Sequence, residues 1–246
     1  MRLAFLYFQF GLENNSNIPH SELSNHLESI LSMNKIQLIN TLPQVFVGRT
    51  DIVSDVWTKD LSFEKGKIYL VEANSGTGKS SLCSFIYGYR NDYQGQILFD
   101  GTDIRDYSVS KWTSIRRKHF SLMWQELRLF PELTALENVI IKNKLTGKQK
   151  KKQILQWFEM LGIADKVDSP VGRMSFGQQQ RVALIRSLCQ PFDFLFVDEP
   201  ISHLDDSNSD IMGRIMTEEA KKQGAGIIAT SIGRHIDMPY DQVLHL

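Results

Sequence analysis

The chain has 246 residues, 42% hydrophobic and 23% charged, a composition typical of a globular protein with one or two compact units. Its 28 basic and 28 acidic side chains cancel, so the net charge gives no general reason to expect binding to nucleic acid or to an anionic membrane. No apolar run approaches the roughly 18 residues that a bilayer-spanning helix requires.

The first 35 residues differ in pattern from those that follow. Leu3 to Phe10 is a short apolar run, interrupted by Gln9 and followed by no small-residue cleavage site, so it predicts a strand and not a signal peptide. From Ser21 onward, leucine and isoleucine recur at helical spacing and predict an amphipathic helix. We therefore expect an N-terminal appendage over residues 1–35 and a main domain over residues 36–246.

Three strands are predicted next. Residues 36–47 should form an edge strand, because Pro43 cannot donate a hydrogen bond to a neighbouring strand. Residues 57–63 and 67–73 should form a hairpin around a Lys-Gly turn. Phe46, just before this hairpin, either stacks on an adenine ring or packs beneath a sheet edge, and the sequence leaves both possibilities open.

Residues 72–82, EANSGTGKSSL, have the pattern of a phosphate-binding loop between a strand and a helix. Backbone N–H groups in such a loop point inward and the helix N-terminus adds partial positive charge, so the backbone can hold a polyphosphate. Lys79 would bridge the outer phosphates, and the Ser80 hydroxyl would bind Mg²⁺. The strict pattern fails only where Ala73 replaces its first glycine, which is tolerable if the backbone there has a negative φ. A glycine-bearing turn with a chance Lys-Ser pair is the alternative.

The middle of the chain continues the alternation of strands and helices. Residues 95–104 alternate apolar and polar side chains and contain an Asp-Gly turn signal. A short helix near residues 107–116 should lead to a strand at 119–124, with Gln125 at its end. Ligands gather at the carboxyl ends of parallel strands, so Gln125 is a candidate ligand for a metal or an attacking water, although a lone glutamine is a weak signal.

Residues 131–163 become helical in pattern and predict an inserted helical subdomain. This segment carries a lysine run that consists of Lys148, Lys150, Lys151 and Lys152. We interpret the run as a solvated turn, because no aromatic residues interleave with the lysines as they do in many nucleic-acid sites.

Two later segments carry further candidate chemistry. Ser175 precedes a small-residue turn and a long helix, the form of an N-terminal cap, and with Gly177 offers a second anion site. Residues 194–200, FLFVDEP, predict a buried parallel strand that ends in two carboxylates. Asp198 can hold the Mg²⁺ shell, while Glu199 should point to the other side and take a proton from the water that attacks a γ-phosphate. The alternative without a catalytic role is that both acidic residues only begin a loop.

The last apolar stretches, residues 227–230 and 241–246, predict two further strands. The two cysteines, Cys83 and Cys189, lie in apolar contexts without metal-ligand spacing. We expect buried thiols in a reducing compartment.

The order of these motifs resembles that of an ATP-binding cassette (ABC) ATPase over about residues 36–246. The resemblance rests on ANSGTGKSS, Gln125, MSFGQQQRVALIRSL, LFVDEP and the pair Leu204-Asp205. It implies an α/β P-loop NTPase with a mostly parallel core sheet, an antiparallel β subdomain and a helical subdomain at about residues 127–172. It also implies that ATP is sandwiched between two head-to-tail cassettes.

The resemblance further implies ATP and Mg²⁺ as ligands and assigns the site residues. The catalytic group would be Glu199, Gln125 and Ser231, and the metal ligands would be Ser80, Gln125 and Asp198. The nucleotide-binding residues would be Phe46, Asn74, Ser75, Gly76, Thr77, Gly78, Lys79, Ser80, Ser81, Ser175, Gly177, Gln178 and Asp205.

Several positions depart from the family pattern. Met174 and Phe176 replace the Leu and the first Gly of the LSGGQ signature, which is tolerable because the serine, one glycine and the glutamine remain. Ser231 stands where the family carries a histidine that contacts the γ-phosphate, and a serine reaches less far and cannot become cationic. We therefore expect slow hydrolysis, with His235 as a possible substitute.

The segment FPELTALENV, the run VGRTDIVSDVWTKDLSF and the short C-terminus resemble one group of these ATPases. Members of that group serve mechanotransmitting permeases in lipoprotein release, macrolide efflux and cell-division septum complexes. The expected partners are a second copy of the cassette or a paralogous one, together with a separate permease that docks on the helical subdomain and the Gln125 loop. The expected location is cytoplasmic, on the inner face of the membrane, and no nucleic-acid partner is expected.

Two alternatives remain at this stage. A soluble ABC protein that acts on DNA or ribosomes usually carries a coiled coil or a second cassette, and neither is evident here. A nearly inactive cassette that dimerises around ATP as a switch is somewhat favoured by Ser231.

Overall fold

Two sheets organise the part of the chain that the computed structural model describes, residues 32–74, 76–200 and 206–246. The predicted N-terminal strand and most of the predicted helix fall on residues 1–31, outside the described residues. A compact unit covers residues 33–246. Its first strand, β1, starts at Lys35, one residue before the expected boundary at residue 36.

The elements are these. The strands are β1 (Lys35–Pro43), β2 (Asp60–Glu64), β3 (Ile68–Glu72), β4 (Tyr93–Phe99), β5 (Thr102–Asp103), β6 (Phe120–Met123), β7 (Phe194–Asp198), β8 (Gly226–Ser231) and β9 (Gln242–His245). The α-helices are α1 (Lys79–Ile86), α2 (Val109–Lys118), α3 (Ala135–Lys144), α4 (Lys151–Met160), α5 (Phe176–Ser187) and α6 (Asp206–Gln223).

The core sheet has the order β6-β7-β8-β3-β9, and every pairing in it is parallel. Every residue of β7 and β8 is buried, which is why residues 194–197 and 227–229 are apolar and do not alternate with polar ones. Leu195 and Val197 pack in one apolar cluster, while Phe194 and Phe196 pack in another. Successive side chains of a strand point to opposite faces, so the two clusters lie on the two faces of this sheet. The predicted α/β class is confirmed.

The second sheet is antiparallel and has the order β2-β1-β4-β5. The prediction that β1 is an edge strand was wrong, because β1 pairs with both β2 and β4. Pro43 is the last residue of β1, where the missing N–H costs the sheet little. The Asp-Gly turn is confirmed as the β4–β5 connection, with φ values of 47° at Asp100 and 83° at Gly101.

The predicted hairpin between β2 and β3 was also wrong. The two strands belong to different sheets, and the turn at Gly66, with φ 82°, carries the chain from one sheet to the other. The reason is visible in the side chains: β2 alternates buried and exposed residues, whereas Ile68 to Val71 of β3 are all buried and need neighbours on both sides. The Tyr69 hydroxyl accepts a hydrogen bond from the Glu64 N–H and links the two strands.

Helices α3 and α4 lie in the segment where a helical subdomain was expected, and both pack against α5. Thr134 and Glu137 form a capping box at the start of α3. The four lysines of the run are all exposed, as expected, but Lys151 and Lys152 belong to the first turn of α4, so the run is a solvated helix start and not a turn alone. Cys83 and Cys189 are free and buried, as expected. None of the described helices has the length and apolarity needed to span a bilayer.

Asp193, just before β7, ties three separate segments together. Its carboxylate accepts hydrogen bonds from the Met33 N–H at 2.8 Å and from His119 Nδ1 at 2.6 Å, and it lies 2.5 Å from Lys65 Nζ. Burial works to raise the pKa of Asp193, but the bonds from His119, Lys65 and Met33 outweigh it and hold the pKa below its ordinary value.

We expect Asp193→Asn to lower the free energy of unfolding by about 2–4 kcal/mol at pH 7, because it removes the charge that Lys65 faces. A carboxyl with a depressed folded pKa contributes its full stability above its unfolded pKa of about 3.9, and this contribution is lost as the pH falls through the folded value. Urea unfolding should therefore show the gap between wild type and variant narrowing below about pH 4. Asp165→Asn, at a 68% exposed carboxylate, is the matched control and should change little. A gap that stays constant into acid would contradict this assignment.

Candidate functional site

The predicted phosphate-binding loop leads from β3 directly into α1. Gly76 and Gly78 have φ values of 82° and 97°, in the left-handed region that favours glycine, and Gly78 is the N-terminal cap of α1. A Cβ atom at Gly78 would lie 3.0 Å from the Phe46 ring and 3.1 Å from Trp57. Ala73 does not have a positive φ, so its methyl group causes no backbone strain. The one departure from the motif is therefore tolerated.

A pocket of about 420 Å³ opens over this loop. Most of its lining was predicted from the sequence: Phe46, Asn74, Gly76, Gly78, Lys79, Ser80, Ser81, Gln125 and Glu199. Thr77 does not line it, because its hydroxyl donates to the Asn74 carbonyl and its own carbonyl accepts from Trp57 Nε1. The volume lies in the range of small-molecule sites, and the helix N-terminus beneath the pocket favours an anion.

Lys79 is the charged centre of the pocket and is only 6% exposed. Its Nζ atom lies 3.5 Å from Asp198 Oδ1 and forms an ion pair with Glu199 Oε1. Burial lowers the pKa of Lys79, and the negative charge of Asp198 opposes that shift. An ammonium in this position needs anions around it, and a phosphate group would meet the same requirement.

Glu199 lies in the same site as Asp198, although the alternation of a strand predicted opposite sides. Both carboxylates approach Lys79 because Glu199 has a left-handed φ of 48°, which turns the chain at the end of β7. The Glu199 N–H donates to the Thr230 carbonyl at 3.2 Å, and its Oε2 accepts a hydrogen bond from Gln125 Nε2 at 2.9 Å. A non-glycine residue in this conformation is strained, and such strain clusters at functional sites.

Asp198 is held by a residue that the sequence reasoning missed. The Thr230 hydroxyl donates to Asp198 Oδ1 at 2.6 Å, and both side chains are buried. The sequence did contain a signal for this role, because Thr230 is a polar residue that follows the apolar residues of β8. Val45 and Ile232 also line the pocket and were not predicted.

The candidate metal ligands offer oxygen atoms, which Mg²⁺ prefers. Ser80 and Gln125 line the pocket, whereas Asp198 does not line it and has its Oδ1 atom 3.5 Å from Lys79 Nζ. Among the described residues no three His, Cys, Asp or Glu side chains form a metal-binding group. The residues therefore fit a Mg²⁺ ion that takes few protein ligands and completes its shell with water and substrate phosphates.

Ser231 ends β8 at the same edge of the sheet but is not in the pocket lining. It is 2% exposed, and among the described residues its hydroxyl has no hydrogen-bond partner. His235, considered as a substitute for the family's histidine, lies 3.4 Å from Glu72 and also does not line the pocket.

The second predicted anion site is at the start of α5. The Ser175 hydroxyl accepts from the Gln178 N–H at 3.3 Å, and Gln178 Oε1 accepts from the Ser175 N–H at 2.9 Å, which completes a capping box. Ser175, Gly177 and Gln178 do not line the pocket, so one chain does not bring the two sites together there. Ser75 and Asp205 lie outside the described residues.

Comparison with known proteins identifies the family. Residues 58–202 match the family model described as ABC transporter. The chain belongs to this family, as the order of its motifs indicated.

Two relatives and one solved structure illustrate the likeness. The chain is 34% identical over 173 residues to the uncharacterized ABC transporter ATP-binding protein YclH of Bacillus subtilis (strain 168), covering 69% of this chain and 75% of that one. It is 30% identical over 208 residues to the lipoprotein-releasing system ATP-binding protein LolD of Zymomonas mobilis subsp. mobilis, covering 83% and 90%. The fold resembles a dimeric post-hydrolysis state of the ATP-binding cassette MJ0796 bound to ADP and Pi, with a TM-score of 0.66, 23% identity, and coverage of 80% and 87%.

The crowding at Gly78 gives a test of the loop geometry. Gly76→Ala and Gly78→Ala both place an alanine at a left-handed φ, which costs about 1–2 kcal/mol. Only at Gly78 does the new methyl group meet Phe46 and Trp57, whereas nothing lies within 4 Å of a Cβ at Gly76. Urea unfolding should show Gly78→Ala to be less stable than Gly76→Ala by a further 1–3 kcal/mol or so. Equal losses would contradict the packing of Phe46 against the loop.

Proposed function

We propose that the chain is the ATP-binding and hydrolysing subunit of an ABC transporter or mechanotransmission complex. The observation that carries the proposal is the convergence of Lys79, Asp198, Glu199 and Gln125 around a glycine loop at a helix N-terminus. Membership of the ABC transporter family supports it. The cassette would span residues 36–246, with residues 1–35 as an appendage and a helical subdomain at about 127–172.

In this proposal the loop backbone and Lys79 hold the phosphates of ATP, and Phe46 borders the adenine end of the site. Arg49 lies over the Phe46 ring, 5.3 Å from its centroid, so an adenine would have to share or displace that contact. The γ-phosphate competes with Glu199 for the Lys79 ammonium. Once released from Lys79, the Glu199 carboxylate can accept a proton.

The chemical step is an in-line displacement. A water molecule oriented by Gln125 attacks the γ-phosphorus and passes a proton to Glu199, while the bond to the bridging oxygen breaks and its electron pair leaves with ADP. A Mg²⁺ ion on Ser80, Gln125 and Asp198 would neutralise charge on the phosphates. Thr230 keeps Asp198 in place for this role through its hydrogen bond.

The site would be completed by a second cassette, either an identical copy or a paralogue. This proposal is supported by the position of Ser175 and Gly177, which do not line the pocket of their own chain, and by the dimeric structure of the similar cassette. The serine and the glycine at the start of α5 would contact the γ-phosphate bound to the opposite subunit.

We further propose a separate membrane permease as the partner, bound by the helical subdomain and the Gln125 loop. The chain would then lie in the cytoplasm, peripheral to the inner face of the membrane. The proposal is supported by similarity to LolD, whose name places it in a lipoprotein-releasing system. The segment FPELTALENV lies at the start of this subdomain and contains the capping box of α3.

Glu199→Gln should trap ATP between two subunits, because it removes the base and the anion that competes for Lys79 while leaving the phosphate ligands. Light scattering with Mg-ATP should show a monomer becoming a dimer. Lys79→Ala is the control and should neither bind ATP nor dimerise. A Glu199→Gln protein that binds ATP yet stays monomeric at high concentration, also with its permease present, would count against the sandwich.

Ser231→His should raise ATP turnover. Loss of a preorganised donor to a transition-state anion typically costs on the order of 10²–10³ in kcat, and the Ser231 hydroxyl does not line the pocket where such a donor is needed. We expect a gain of at least about 10-fold under saturating Mg-ATP. Ser231→Ala serves as the control and should match wild type. A correctly folded and dimerising Ser231→His protein that is no faster would mean that another group performs the histidine's role.

A further inference from the structure

The hydroxyl of Ser81 lines the ATP pocket, and its hydrogen bonds decide what it can do there. Ser81 is the third residue of α1 and is 9% exposed, and its Oγ atom accepts a hydrogen bond from Arg90 Nη1 at 3.1 Å. Within the part of the chain that the structure describes, no group accepts a hydrogen bond from this hydroxyl. A serine hydroxyl has one proton to donate and two lone pairs, whereas an arginine can only donate. The Ser81 proton is therefore left for a group that enters the pocket.

Arg90 is fixed by contacts within the chain. Its Nε and Nη2 atoms donate to the two carboxylate oxygens of Asp92, the first of them at 2.8 Å. Its guanidinium group lies over the Phe85 ring, 5.3 Å from the centroid. Two parallel bonds to one carboxylate fix the plane of a guanidinium, and the aromatic face adds a further attraction. Arg90 does not line the pocket itself, so it can act on a bound ligand through Ser81.

The backbone around Arg90 also joins the two ends of the pocket. The Arg90 N–H donates to the Ser84 carbonyl of α1 at 3.3 Å. The Asp92 carbonyl accepts a hydrogen bond from the Gln44 N–H at 2.8 Å, next to Val45, which lines the pocket. The segment that carries Arg90 is thus attached both to the helix under the phosphate end and to the turn after β1. These backbone contacts keep the guanidinium within reach of Ser81.

The charges in the site make a neutral donor such as Ser81 important. Lys79 is the charged centre of the pocket, but it faces the carboxylates of both Asp198 and Glu199. A polyanion must therefore rely on donors that carry no counter-charge, namely the backbone N–H groups of the loop and the hydroxyls at the start of α1. A cation that donates to a hydroxyl polarises it and makes its proton a stronger donor. Arg90 stands in this relation to Ser81.

We propose that Arg90 is a positioning residue for the nucleotide, which holds the Ser81 hydroxyl so that its proton is donated to the α- or β-phosphate. This inference rests on the proposed function, because it assigns a further residue to the same ATP site. The loop and the helix start hold the α- and β-phosphates, whereas the lysine of the loop reaches the outer ones. ADP and ATP share the inner phosphates. Arg90 therefore contributes to the affinity for both nucleotides and not to the chemical step.

Arg90→Gln should raise the Kd of ADP and that of ATP by similar factors, about 5-fold to 10-fold, because the Ser81 hydroxyl loses its orientation. The kcat at saturating Mg-ATP should stay at the wild-type value. Isothermal titration calorimetry on the full chain measures the two Kd values, and steady-state turnover measures kcat. A general disturbance of the structure would lower kcat as well, so the two readouts together separate positioning from a structural role.

Arg105→Gln is the matched control. Arg105 also stacks on an aromatic ring, that of Tyr93, and it donates to the carbonyls of Tyr93 and Gly95, none of which lines the pocket. This variant should bind both nucleotides as wild type does. Asp92→Asn gives a second test that leaves Arg90 in place. It weakens the bonds that orient the guanidinium and should raise both Kd values by a smaller factor than Arg90→Gln.

A double-mutant cycle gives the decisive result. Ser81→Ala should raise the Kd of ADP about 10-fold, and the addition of Arg90→Gln to it should change this value by less than about 2-fold. Losses that multiply would show that Arg90 acts without Ser81 and would overturn the inference. An Arg90→Gln protein with wild-type affinity for ADP would do the same, and in both cases the proposed function stands. If wild type binds neither ADP nor ATP, the proposed function fails together with the inference.

Discussion

The buried ammonium of Lys79 is the constraint on which the site depends. An uncompensated charge in a desolvated position costs several kcal/mol, so anions must surround it. The fold supplies them from the end of β7, where Asp198 and Glu199 both approach Lys79. The first of these is fixed by Thr230 from the neighbouring strand, and the second is shared with Gln125. In the proposed function, a phosphate that enters the pocket changes this balance and releases Glu199 to accept a proton.

The parallel sheet makes this convergence possible. Strands β3, β7 and β8 are adjacent and parallel, so the loop, the two carboxylates and Thr230 all emerge at one edge. β6 pairs with β7 and brings Gln125 to the same edge. The turn after Gln125 is in turn held by Arg186 of α5, so the helical part of the chain is tied to the ATP site by hydrogen bonds.

Features that depend on a local sequence pattern could be predicted from the sequence. Features that depend on which strands pair with each other could not. The apolar runs within β3, β7 and β8, the loop into α1, the Asp-Gly turn and the cap at Ser175 were recognised because each has a short-range signature. The central place of β1 and the separation of β2 from β3 were not, since a strand's neighbours lie far away in the sequence. The conformation of Glu199 was not predicted for a similar reason. Its positive φ is imposed by its surroundings, and it breaks the alternation of side chains that an ordinary strand would have.

We propose above all that each ATP site combines Lys79 of one subunit with Ser175 of the other. The most direct test uses heterodimers whose two subunits carry different affinity tags, so that each heterodimer can be isolated from the homodimers. In one heterodimer, Lys79→Ala is on one subunit and Ser175→Arg on its partner; in the other, both changes are on one subunit beside a wild-type subunit. The account predicts that the first keeps one intact site and about half of the ATP turnover per dimer, whereas the second is inactive. The reverse result, activity only when both changes share a chain, would show that each chain forms its site alone and would contradict the account.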